Sequence, residues 1–176
     1  MRSRSSRFPL NILLLVLLSV LSVVSFAAEK PQGRVLLTLS GAVDETSSNQ
    51  ELKFDLAMLN QLPQHYVTTH NPWTKGRHTY QGFSALDLFP HLNINNSTLQ
   101  VTALNEYMTE IPLSDFVDNG AIFATHIDGV PMSVRNLGPI MVIYPFDENE
   151  DLKSEMYYGR SIWQVDRIKA IVGPEK

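Results

Sequence analysis

No cysteine occurs anywhere in the 176 residues, and this absence bounds both the architecture and the chemistry. The chain has neither disulfides nor thiolate ligands at its disposal, so its fold must rest on packing alone. The restriction matters because the first residues read as an export signal. Arg2, Arg4 and Arg7 precede an apolar run from Leu10 to Phe26, and Ser25-Phe26-Ala27 supplies small residues at the positions a signal peptidase reads. We therefore expect a cleavable signal peptide over residues 1–27 and one mature domain over residues 28–176. The apolar run is near the lower limit for a bilayer span, so an uncleaved anchor is the competing reading. Lipid attachment would need a cysteine after the run. The short leader, with no eukaryotic features elsewhere, points to a bacterial periplasm, with no direct membrane anchoring after cleavage.

Loss of Arg2, Arg4 and Arg7 takes the 14 basic residues down to 11, against 18 acidic ones. A formal charge of −7 argues against nucleic acid and anionic lipid as partners. About 150 residues suffice for one domain with a real core.

The remaining pattern is of short strands with few, short helices. Arg34–Gly41 and His65–Thr69 read as strands, and residues 42–51 as a polar loop. Phe54–Leu62 suits a short helix capped by Asp55 and stopped before Pro63. Ser84–Leu92 suits another, with Ser84 as cap and Asp87 three residues on. Leu99–Leu104 alternates as a strand, and Thr109–Leu113 runs extended. Ala121–His126 is a strand closed by the turn Asp128-Gly129, and Ile140–Tyr144 is an apolar run suited to a fully buried strand. Phe146–Tyr158 is acidic and reads as a surface excursion. Ser161–Val172 alternates as a closing strand, with Trp163 in the core. Without internal repeats or regular strand–helix alternation, the expected class is a β-rich mixed α+β domain with short helices.

Between the apolar runs lies Thr68–Gly82, TTHNPWTKGRHTYQG. It is dense in hydroxyls, imidazoles, amide and indole, and is broken by Pro72, Gly76 and Gly82. It reads as a long functional connection. His70 and His78 lie eight apart with no carboxylate between them, a poor spacing for a metal. No GxSxG, HExxH or glycine-rich phosphate loop occurs, so no catalytic residue is expected.

The succession TYQGF-SALDL, VTALNEYMTEIPLSDF, FATHIDGVPMSVRNLGPIMVIYP and RSIWQVDRI resembles the oxidoreductase molybdopterin-binding domain, the fold of sulfite oxidase and YedY-type enzymes. The resemblance covers roughly residues 36–172. In those enzymes a cysteine near the start of the central loop ligates molybdenum. The matching region here is Thr68-Thr69-His70, and a hydroxyl is a poor substitute for a soft thiolate. Length, leader, missing cysteine and the ALNEY, RNLGP and YP segments look more like the PruR-type periplasmic pterin-binding proteins. That resemblance implies a non-enzymatic receptor for a reduced, tetrahydromonapterin-like pterin, without molybdenum. It implies as partner the periplasmic domain of an inner-membrane GGDEF/EAL-type protein that makes and degrades cyclic di-GMP, and a role in biofilm regulation and surface attachment. The alternative is a molybdopterin-dependent oxidoreductase with a non-cysteine ligand such as His70.

A pterin site needs an aromatic face, polar groups along the ring edge and a wall against water. The candidate residues are Thr69, His70, Trp73, Asn105, Glu106, Tyr107, Arg135 and Asn136. Trp73 offers a stacking face, or else folds over the core as a lid. Arg135 offers a charge-assisted hydrogen bond, or else pairs with a surface acid. Glu106 suits the ring's amino edge, or else is a solvated turn residue. Tyr107 is divided evenly between core and ligand. The acidic run Asp147–Asp151 is a solvated loop or a docking surface.

Overall fold

The computed structural model describes residues 30–42 and 51–174. The expected signal peptide and most of the expected loop over residues 42–51 lie outside them. Among the described residues, no helix is long and apolar enough to cross a membrane.

Among the described residues, ten strands form two sheets. The first has the order β2-β1-β10-β5-β6. It is built from β1 (Leu37–Gly41), β2 (Leu52–Phe54), β5 (Ser97–Ala103), β6 (Met108–Pro112) and β10 (Val165–Val172). β1 runs parallel to β10, and the other pairs are antiparallel. In β5 every second residue is buried, the period of a sheet with one face on the core. The second sheet runs β3-β4-β7-β8, with β9 also against β7. Its strands are β3 (His65–Thr69), β4 (His78–Phe83), β7 (Ile122–Ile127), β8 (Val130–Pro131) and β9 (Met141–Ile143). Side chains from both sheets, among them Leu39, Val101 and Ile168 from the first and Tyr80, Phe123 and Val142 from the second, meet in one core. Gly82 sits where β4 crosses β7 at a bulge. A Cβ there would lie 1.9 Å from the Phe123 carbonyl oxygen, so only glycine permits the approach.

Among the described residues, four short helices join the strands: α1 (Leu56–Gln61), α2 (Ala85–Leu88), α3 (Asp115–Asp118) and α4 (Glu155–Arg160). Asp55 caps α1 as the sequence implies. One carboxylate oxygen accepts from Met58 N, and the other accepts from Gln32 N and Gly33 N, pinning the incoming chain. Those backbone donors hold the Asp55 carboxyl below the usual range. Ser84 and Asp87 form a reciprocal capping box. The expected helix over 84–92 nonetheless stops after one turn, because Pro90 disfavours the helical region for Phe89, which adopts φ −130° and ψ 60°.

Three expectations need correction. The long connection over 68–82 is a β-hairpin: Thr69 pairs with His78, leaving only residues 70–77 as a loop. The excursion over 146–158 is not wholly at the surface, since Phe146 and Leu152 are buried and α4 begins within it. Its polar residues conceal two core anchors. The closing strand begins only at Val165. Trp163 makes an isolated bridge to Met141 of the second sheet, Gln164 takes a left-handed turn (φ 58°), and the chain then joins the first sheet.

α4 is fastened from behind. Arg160 donates to the buried Asp115 carboxylate (2.9 Å), which also accepts from the Tyr144 hydroxyl (2.7 Å) and Asn119 Nδ2 (3.1 Å). Burial and the Asp115 charge push the Tyr144 hydroxyl far above the usual phenol range, so it remains a donor.

Candidate functional site

The left-handed turn at Gln164 decides where the site forms. Trp163 precedes it, outside the strand, and is 37 % exposed. There it meets Trp73 from the hairpin loop, ring centroids 5.5 Å apart and planes at 54°. Trp73 also packs edge-on against Tyr158 (6.0 Å) and against Phe146 (6.4 Å). Trp73 thus covers part of the core and presents a face as well.

Its position is set by Asn71. The Asn71 side-chain oxygen accepts from Trp73 N and Thr74 N, both at 3.0 Å, and its amide donates to the buried Tyr80 hydroxyl (2.6 Å). An asparagine bonded to the backbone two and three residues on fixes a tight turn without regular structure. The two ends of the loop are latched by histidines. His70 Nδ1 lies 2.9 Å from Asp147, which also contacts Arg77 Nε at 3.3 Å. The His70 hydrogen bond holds the Asp147 carboxyl below its usual range. His78 Nδ1 contacts Asp128 at 2.6 Å while its Nε2 meets the Lys75 carbonyl at 3.0 Å. The Asp128 hydrogen bond raises the His78 pKa. Each histidine has its own carboxylate, on a different element, which sequence spacing does not reveal.

The aromatic wall borders a cleft of about 420 Å³, within the usual range for small-molecule sites. Its lining comes from three places: Trp73; Ala103, Asn105 and Tyr107 of the β5–β6 hairpin; and Tyr158 and Gly159 of α4 with residues 161–163 after it. The two indoles touch, so no ring passes between them; together they form one continuous wall. Asn105 uses its side-chain oxygen on Tyr107 N (3.1 Å), which leaves its amide hydrogens for a ligand. Ser161 Oγ donates to the Tyr157 carbonyl at 2.8 Å and retains its acceptor capacity.

The eight candidates do not converge on one place. Trp73, Asn105 and Tyr107 line the cleft. Glu106 adjoins it but stands outside the lining, its carboxylate accepting from Arg167 Nη2 at 2.7 Å. His70 lines a shallower neighbouring hollow that shares Tyr158 with the cleft. Thr69 is fully buried, where its hydroxyl donates to the His70 carbonyl and accepts from Asp147 N. Arg135 and Asn136 sit exposed on a 3-10 turn, Val134–Asn136. That turn is tied to the cleft through Gln164, whose side-chain amide donates to the Val134 carbonyl (2.8 Å). Sequence reasoning missed Tyr158, Ser161 and Trp163. The density of aromatic residues around RSIW was the available signal, and the alternation of the closing strand masked it.

The donor set decides what the cleft suits. Its lining contains no lysine, arginine, histidine or carboxylate. Among the described residues no three His, Asp or Glu side chains are grouped to hold a metal ion. The molybdenum pterin of the oxidoreductase fold carries a phosphate and needs a ligand to its metal. The residues present do not fit that group.

No family model matches the sequence, and no curated protein matches it. Among solved structures, the chain is similar to the sulfane dehydrogenase SoxCD from Paracoccus pantotrophus, with a TM-score of 0.53 and 13 % identity. The match covers 76 % of this chain but only 37 % of that one. At this identity the likeness is one of fold. The chain has the β-rich mixed α+β architecture of the molybdopterin-binding oxidoreductase domain.

Proposed function

We propose that this protein is a periplasmic, non-catalytic pterin receptor of the PruR type. It binds a reduced, tetrahydromonapterin-like pterin and regulates the periplasmic domain of an inner-membrane GGDEF/EAL-type protein, and through it biofilm formation. The observation that carries the reading is the uncharged cleft walled by Trp73 and Trp163 and edged by Asn105, Tyr107 and Ser161. Aromatic contact with a flat ring contributes about 0.5–1.5 kcal/mol beyond the area it buries. The polar groups fix the ring's orientation. The lack of any cysteine removes the usual protein ligand of the fold's metal. The bound receptor shifts its partner by binding the partner's states unequally.

The test is to purify the mature protein from periplasm, denature it, and measure released pterin by mass spectrometry alongside molybdenum. Pterin without molybdenum is expected. Stoichiometric molybdenum would replace the receptor by an oxidoreductase with a non-cysteine ligand, and absence of both would remove the ligand from the proposal. Trp73→Ala and Trp163→Ala should each lower the pterin recovered at least tenfold, while Arg135→Ala, outside the lining, should leave it unchanged.

A further inference from the structure

A second concavity shares no lining residue with the aromatic cleft. It is a groove of about 380 Å³ bounded by β3, the start of α2, the approach to β7 and the segment after β9. Its floor is apolar, with Val67, Phe116 and Ile122 among the lining residues. Tyr66, 64 % exposed, stands at its side. Its charge is one-sided. Asp87 and Glu148 line it, and no lysine or arginine does; His65 is the sole basic group, already 3.0 Å from Asp87. The Glu148 carboxylate forms no hydrogen bond or ion pair to any described residue. Alongside runs β3, which pairs only with β4 among the described strands.

We propose that this groove is a docking site for an extended segment of a protein partner that carries lysine or arginine two residues from an apolar side chain, on the same face. An open strand edge offers backbone donors and acceptors to a second chain. The apolar floor takes one side chain of the segment, and Glu148 and Asp87 take basic side chains two residues to either side, which share its face. Complementary charge fixes which segment is accepted more than how tightly it is held. The Tyr66 ring, on the same wall, can cover a bound cation. The inference stands apart from the pterin reading, because neither Trp73 nor Trp163 takes part in it.

The experiment uses the mature chain without pterin and three octapeptides with serine at every second position: one with lysine and valine in turn at the positions between, one with glutamate and valine there, and the lysine peptide with methylated backbone nitrogens. Binding is followed by amide chemical shifts. The lysine peptide is expected to shift His65–Val67, Ala121 and Ile122, with affinity at least tenfold above that of the other two. Glu148→Lys should weaken it at least tenfold while circular dichroism stays unchanged. Equal binding of the glutamate peptide, shifts centred on Trp73 and Trp163, insensitivity to Glu148→Lys, or no shifts at millimolar peptide would each overturn the proposal.

Discussion

Glu106 occupies a backbone conformation that glycine usually fills. The β5–β6 hairpin turns through Leu104-Asn105-Glu106, with Glu106 N donating to the Ala103 carbonyl and Glu106 at φ 66°. A three-residue hairpin loop places its last residue in the left-handed region, at a cost of roughly 1–2 kcal/mol for a residue with a Cβ. The ion pair to Arg167 is solvent-exposed on both sides, and such pairs contribute about 0–1 kcal/mol. Glu106→Gly should therefore leave stability unchanged or raise it by up to about 1 kcal/mol. Chemical denaturation would read this, and a loss above about 1 kcal/mol would mean that the Arg167 pair matters more than its exposure allows. Asn105 and Tyr107, carried on the same turn, should keep their places in the cleft.

At the level of the element, two attachments control the walls of the cleft. α4, which brings Tyr158 to the site, is held by Arg160 on Asp115. Arg160→Met leaves a buried carboxylate without its cation and should cost about 3 kcal/mol. Arg160→Met combined with Asp115→Asn should recover much of that loss, and urea unfolding of the single and double variants measures both. The Trp73 loop is held at its far end by His78 on Asp128. Because Asp128 raises the His78 pKa above 6.5, the contact stabilises fully below that value and fades as pH rises through the raised pKa. The same contact holds Asp128 below 3.8, so strong acid is needed to break it from the other side. The melting temperature of His78→Gln should fall below that of the unaltered protein at pH 5.5 and converge with it at pH 9. A gap of equal size at both values would show that the charge on His78 is irrelevant.

For the whole molecule, the fold was readable where local chemistry decides structure. Asp55 before α1, the Ser84–Asp87 capping box and the buried run at β9 act through neighbours in sequence, and each could be read there. The two-sheet arrangement required contacts between distant segments; the sequence and its resemblance implied only a β-rich mixed α+β domain. The site was less legible for the same reason. Trp73 stood out because it lies in a polar loop. Trp163 was hidden because the alternation was read through it, whereas the strand begins only at Val165, after the left-handed Gln164, and bulges between Val165 and Arg167. Arg135 and Asn136 lie next to conspicuous turn residues, yet the tertiary fold leaves their turn outside the cleft lining.

The protein has just two tryptophans, and they stand in contact at the cleft. Its indole emission therefore has no background from elsewhere in the chain. A flat molecule that settles against that wall and absorbs where indole emits accepts excitation from both rings. Occupancy can thus be titrated by the dimming of intrinsic emission, with no label attached, and Trp73→Phe against Trp163→Phe resolves which ring each ligand covers.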